Sequence, residues 1–238
     1  MDSLIAINWI VLGQIILIDI LLGGDNAIVI ALACRNLPPH LRFKGIVWGT
    51  VGAIVIRITL IAFAVTLLQV PFLKCLGGLL LLWIGIKLLA ETDDDHSTIQ
   101  ASDRLFTAIK TIVVADLVMS IDNVIAVASA TEQADVDHQL ALIIFGITFS
   151  IPIIVWGSTI VLKLMERFPV IITLGSGLLG YLAGGMIFTD TGLVALFAPH
   201  FTHPNLPIAM LGVSLSIPSS ICAVGVVIIG KYLARQNQ

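Results

Sequence analysis

Two segments of this chain place carboxylates inside long apolar runs, and they do so with the same spacing. Ile18-Asp19-Ile20-Leu21-Leu22-Gly23-Gly24-Asp25-Asn26-Ala27-Ile28-Val29 reads Asp, five residues, then Asp-Asn, and Ala115-Asp116-Leu117-Val118-Met119-Ser120-Ile121-Asp122-Asn123-Val124-Ile125-Ala126 reads the same. An ionised Asp near a bilayer centre costs at least ~2.5–3.5 kcal/mol on insertion scales, so Asp19, Asp25, Asp116 and Asp122 are expected to face a bundle interior and to act there. Their oxygens, with the amide oxygens of Asn26 and Asn123, form a donor set suited to hard divalent cations such as Mg²⁺, Ca²⁺ or Mn²⁺. Met119 is the one soft atom nearby: as an accessory ligand it favours Mn²⁺, and its alternative role is packing. On a continuous helix Asp19 and Asn26 share a face, as do Asp116 and Asn123, while Asp25 and Asp122 point elsewhere. A local unwinding reconciles them. Gly23-Gly24 offers such a break in the first copy, with freed carbonyls as further ligands, whereas the second copy has Met119-Ser120 and no glycine.

Arg57 interrupts Ile54-Val55-Ile56 and Ile58-Thr59-Leu60 at mid-span, where the second copy has Ile154. A guanidinium at that depth is expected to face the carboxylates, as a counter-charge in the empty state or a gate. The alternative, that every Asp serves only to pair helices, fails on number, because one intramembrane Arg cannot neutralise four buried carboxylates.

Other signals are weaker. Glu91-Thr92-Asp93-Asp94-Asp95-His96 reads as a solvated linker. His200 and His203 lie in an outer connection where they could touch a departing metal, with no carboxylate beside them. Cys34, Cys75 and Cys222 form no CxxC and read as buried small hydrophobes. With no HExxH, no phosphate-binding glycine loop and no nucleophile paired with a base, neither an enzyme nor a bound cofactor is expected.

The elements that must carry these residues follow from composition. At 58% hydrophobic and 11% charged, with mean hydropathy +1.07, the 238-residue chain lies far from soluble averages. The net charge of −3 is spread over short loops, and nucleic acid is not an expected partner. Apolar runs at 4–33, 44–68, 71–90, 107–130, 139–163, 170–189 and 206–230 predict seven transmembrane helices and an all-α polytopic membrane protein. Met1-Asp2-Ser3 leads into the first run with no basic region, so that run is expected to be retained. Arg35, Arg42, Lys44, Arg104, Lys110, Lys163, Arg167, Lys231 and Arg235 all fall on one side. Lys74 stands alone among the acids Glu132, Asp135, Asp137 and Asp190 on the other. The positive side is expected to be cytoplasmic, with the N-terminus outside, the C-terminus inside and the cell membrane as location.

The two Asp…Asp-Asn segments lie about a hundred residues apart, and Trp48-Gly49 with Phe145-Gly146, and Pro71 with Pro169, keep nearly that offset. Residues 4–90 and 107–190 therefore read as two three-helix repeats of inverted topology, joined by an acidic cytoplasmic linker at 91–106. Helix 206–230 remains for packing or a homo-oligomer contact.

The segments Leu22-Gly23-Gly24-Asp25-Asn26-Ala27-Ile28-Val29-Ile30-Ala31 and Ala115-Asp116-Leu117-Val118-Met119-Ser120-Ile121-Asp122-Asn123-Val124 resemble the paired signature of the TerC family of integral membrane proteins. Within that family they resemble its short YjbE-type branch, which lacks appended cytoplasmic domains. The resemblance implies membership of the LysE-like exporter superfamily. It implies a role in manganese efflux, including metal supply to exported proteins, and it puts Asp19, Asp25, Asn26, Asp116, Asp122 and Asn123 on motif positions. The expected function is export of a divalent metal, Mn²⁺ first, by alternating access between the repeats. The rivals are Ca²⁺ or Mg²⁺, a cationic amino acid, or a membrane scaffold that moves nothing.

Overall fold

The structure, a computed structural model, describes residues 24–62, 70–91, 101–131, 136–197, 205–208 and 213–236, with the side chains of 62, 122–131, 136–143, 197, 205–208 and 213–215 outside that description. Among these residues the chain forms α1 (Gly24–Cys34), α2 (Pro39–Ala62), α3 (Leu73–Ala90), α4 (Ala101–Thr131), α5 (Val136–Arg167), α6 (Val170–Phe188), α7 (Thr191–Phe197), a strand pair β1 (Asn205–Ile208) and β2 (Val213–Ser216), and α8 (Ile217–Gln236). Helices α2, α3, α5, α6 and α8 contain stretches long and apolar enough to cross a membrane, and α1 holds a shorter apolar run from Asp25 to Cys34. Large apolar side chains such as Trp48, Leu76, Trp156 and Ile221 point outward while Arg57 and Asp116 are buried. That is the polarity of a fold solvated by lipid, where backbone groups must be satisfied within each helix.

The helical class agrees with the reading of the sequence, and two boundaries do not. The linker expected at 91–106 is already helical from Ala101. The helix expected from 206 begins at Ile217, and Asn205–Ile208 instead pairs antiparallel with Val213–Ser216, Pro207 opposite Ser214. In a helix begun at 206, Pro218 would fall in the interior and cost both a hydrogen bond and a steric clash, whereas in α8 it stands in the first turn, where its missing N–H is harmless. Helix α4 runs unbroken through Met119-Ser120, so the second copy of the motif, which has no glycine there, has no unwinding.

The described helices fall into two compact units. One holds α1, α2, α4 and α5 up to residue 163; the other holds α3, α6, α7, the strand pair and α8. The units cut across the segments 4–90 and 107–190 read as repeats in the sequence: each unit takes helices from both segments.

In the first unit α2 and α4 pack along a stripe of small residues. A β-carbon on Gly49 would stand 2.5 Å from Ile112 Cδ1, and one on Gly52 would stand 2.8 Å from Val113 Cγ2. Bare backbone at these positions lets the helices close to a distance no larger residue permits. The turn from α1 to α2 is held by Arg42, whose Nε donates to the Leu37 carbonyl at 2.9 Å and Nη2 to that of Arg35 at 3.1 Å. A cation there also complements the negative end of α1.

The second unit packs α3, α6 and α8 on one another. Gly180 and Gly184 of α6 face α8, where added β-carbons would meet the Cys222 carbonyl at 2.8 Å and Ser219 Cα at 2.7 Å. Asp190, between α6 and α7, is 1% exposed. Its carboxylate accepts the N–H groups of Gly192 (2.8 Å) and Leu193 (3.1 Å) at the start of α7, and those of Phe72 and Cys75 (both 3.1 Å) at the start of α3. One acid thus caps two helix N-termini, whose exposed donors and positive dipole ends favour an anion. Burial alone pushes this carboxyl up, but the N–H groups of Leu193, Cys75, Gly192 and Phe72 outweigh it and hold it below the usual carboxylate range. Phe72 takes a left-handed φ of 63° to fit this junction.

Candidate cation site between α1, α2 and α4

The stripe that packs α2 on α4 also positions the charges. On α2 it runs through Ile46, Thr50, Ala53 and Arg57, all buried at helical spacing. On α4 the facing stripe is Ala108, Ile112, Ala115, Asp116, Met119 and Ser120. Register therefore sets Arg57, 2% exposed, against Asp116, 5% exposed. Arg57 Nη2 donates to Asp116 Oδ1 at 2.5 Å and Nε donates to Ser120 Oγ at 3.1 Å, while the Ser120 hydroxyl donates to Asp116 Oδ2 at 3.1 Å. The three side chains close a ring that engages both carboxylate oxygens and neutralises the charge. Deep in a low-dielectric interior, such a pair is tolerated only when both partners are present and hydrogen-bonded.

Helix α1 supplies the opposite wall. Asn26 is 4% exposed, and among the described residues neither its amide oxygen nor its amide nitrogen has a hydrogen-bond partner. It lines a cavity of about 10 Å³ together with Val29, Ile30, Ile112 and Asp116. That volume admits one occupant the size of a water molecule. An unmet buried amide costs about 1–3 kcal/mol, so its presence calls for something that uses it. A small oxygen-seeking ligand satisfies the amide oxygen and is drawn to the carboxylate across the cavity.

The residues singled out in the sequence are distributed as follows. Asn26, Asp116 and Arg57 come together. Asp25 is half-buried at the start of α1, its Oδ1 accepting the Asn26 N–H at 2.9 Å, within electrostatic reach of Arg57 and Asp116. Met119 is buried in α4 and is not among the cavity-lining residues. Asp122 and Asn123 lie on the continuous α4 backbone with side chains outside the described set, and Asp19, His200 and His203 lie outside the described residues altogether. Among the described residues no group of three His, Cys, Asp or Glu side chains could hold a metal. The set that does converge is one carboxylate, one amide and a competing guanidinium. Ser120 was not singled out by the sequence reading; the signal for it is a hydroxyl four residues after an intramembrane Asp, one helical turn along the same face. Asp190 was read as a loop acid, and nothing local marks it as a shared cap.

A family profile described as "Integral membrane protein TerC family" matches residues 5–238. The uncharacterized membrane protein YjbE of Bacillus subtilis is 45% identical over 204 residues, 86% of this chain and 90% of that protein. YceF of the same organism, also named as an uncharacterized membrane protein, is 22% identical over 242 residues, covering 98% of this chain and 85% of the relative. The inner membrane protein YgdQ of Escherichia coli K12 is 26% identical over 178 residues, 68% of this chain and 73% of the relative. No solved structure matches. Taken with the apolar helices and their inward-facing charges, these matches establish that the chain is an integral membrane protein of the TerC family.

Proposed function

We propose that this protein carries a divalent metal cation across the cell membrane, with Mn²⁺ the first candidate and the direction outward. The observation that carries the reading is the unmet amide of Asn26 facing Asp116 across a buried, ion-sized cavity, with Arg57 already neutralising that carboxylate. Nothing in packing requires an amide there. A hard cation fits the oxygen donors of Asn26 and Asp116. A buried carboxylate inside an apolar bundle, as Asp116 is here, suits an ion pathway.

The chain crosses the membrane seven times in two inverted repeats, with the N-terminus outside and the C-terminus in the cytoplasm. The site lies where α1 and α2 of one repeat meet α4 of the other, and it opens to each side in turn. An inside-negative potential opposes cation exit by ~2.3 kcal/mol per charge per 100 mV, so export requires a steep metal gradient or a compensating charge movement. Metal delivery to exported proteins suits this direction, and no chemistry on a substrate is assigned to the chain.

Thermal unfolding of the purified protein with Mn²⁺, Ca²⁺, Mg²⁺ or lysine tests the reading. A ligand at a hundredfold excess over its Kd stabilises the folded state by about 2.7 kcal/mol. Mn²⁺ is expected to stabilise the wild type and not Asp116→Asn, and only the wild type is expected to accumulate ⁵⁴Mn in inside-out vesicles. Equal accumulation by both proteins, or no response to any of the cations, sinks it; a response to lysine alone makes the chain an amino-acid carrier.

A further inference from the structure

We infer that Arg57 is a tethered stand-in for the transported ion: it occupies Asp116 when the site is empty, so that the empty carrier returns without a second ion. The inference rests on the metal reading above and adds what drives the return. Three observations support it. Arg57 is the buried cation on Asp116, and the Arg57–Ser120–Asp116 ring uses both carboxylate oxygens, so a metal reaching the cavity must take Asp116 from the guanidinium. The cavity is bounded by Asp116 and Asn26 and is not filled by Arg57, so the entering ion approaches from the α1 side while Arg57 leaves toward α2. Ser120 gives Arg57 a second acceptor on α4, so the guanidinium keeps a partner once the carboxylate is lost.

The charge arithmetic follows. In the empty state Asp116 and Arg57 sum to zero, with the half-buried Asp25 the other charged side chain described beside them. With metal bound, the cation replaces Arg57 on the carboxylate, and Mn²⁺, Arg57 and Asp116 sum to +2, with Arg57 keeping the Ser120 hydroxyl as acceptor. Either way Asp116 is never carried through the low-dielectric interior unpaired, which is the state that penalises movement of an empty anionic site. A carrier with this device performs net transport. A carrier without it is confined to exchanging one metal for another, because only the loaded form can cross.

The experiment compares two fluxes in proteoliposomes made with the full chain. ⁵⁴Mn uptake is measured into vesicles holding no metal and into vesicles preloaded with unlabelled Mn²⁺, for wild type, Arg57→Gln, Arg57→Lys and Ser120→Ala. Wild type is expected to take up label in both. In Arg57→Gln the ratio of exchange to net uptake should rise about a hundredfold, the factor by which insertion scales disfavour one unpaired carboxylate at mid-helix. Its apparent affinity for Mn²⁺ in thermal unfolding should rise about tenfold once the competitor is gone. Arg57→Lys should restore much of the net flux. Ser120→Ala, which keeps both charges and folds even if Arg57→Gln does not, should bind Mn²⁺ a few-fold more tightly because Arg57 is held less firmly.

Net and exchange fluxes falling in parallel in Arg57→Gln would overturn the inference while leaving the metal site standing, as would unchanged Mn²⁺ affinity in Ser120→Ala. A wild type that neither binds nor moves Mn²⁺ in either mode overturns the metal reading itself and the inference with it.

Discussion

Asp116 and Asp190 are both buried acids, and they are satisfied in opposite ways. Asp190 is held by four backbone N–H groups from the starts of α3 and α7. Those donors are fixed by the helices, so the carboxylate cannot be released without undoing both ends. Asp116 is held by a guanidinium and a hydroxyl, two side chains that can rotate away, and beside it lies a cavity with an unmet amide. The difference separates a structural acid from an exchangeable one: backbone partners fasten a charge, whereas side-chain partners lend it.

The largest expected effect comes from breaking the exchangeable pair. Asp116→Ala leaves Arg57 buried without its carboxylate and should cost about 3–5 kcal/mol in unfolding of the detergent-solubilised protein, while the double change Arg57→Met/Asp116→Leu should recover most of that loss. Failure of the double variant to recover would show that the pair is structural after all. Next, Asp190→Ala strands four N–H donors and should cost about 2–4 kcal/mol with the stabilisation by Mn²⁺ unchanged, since the residue lies outside the site. Loss of that stabilisation would break the contrast.

Acid should separate the two acids further. Because the folded-state carboxyl of Asp190 is depressed, its contribution is complete above the ordinary carboxylate pKa of about 3.9 and vanishes as pH falls through the lower folded value. The stability of wild type relative to Asp190→Asn should therefore shrink below about pH 4, and a constant difference would reject the capping role. The smallest effect belongs to Asn26→Ala. Removing an amide that satisfies nothing should change stability by no more than about 1 kcal/mol, or raise it, despite the burial of the residue. The response to Mn²⁺ should nonetheless disappear.

Much of the fold is legible in the sequence because apolar runs bounded by proline or charge fix where α2, α3, α5 and α6 lie to within several residues. Residues 205–208 and 213–216 are misread for the same reason: apolar composition does not distinguish a helix from a strand pair, and the cues were Pro218, which could not stand inside a helix begun at 206, and the alternation Val213-Ser214-Leu215-Ser216. That Arg57 needs a buried acceptor follows from its depth. Which carboxylate accepts it depends on how the α2 and α4 stripes register, a tertiary fact set by Gly49 and Gly52 against Ile112 and Val113. Asp190 is hidden for a related reason: two of its four donors come from a loop more than a hundred residues away.

The continuity of α4 carries one more consequence. Thirty-one helical residues span about 46 Å, well beyond the ~30 Å hydrocarbon core, and Asp116 stands midway along them. A helix with no break cannot admit an ion by local refolding, so any adjustment at Asp116 tilts or turns the whole rod as a lever about its middle. Its arms magnify the displacement, and the exposed Ala101 and Ser102 at one tip are where that motion is widest and where a spin label can record it.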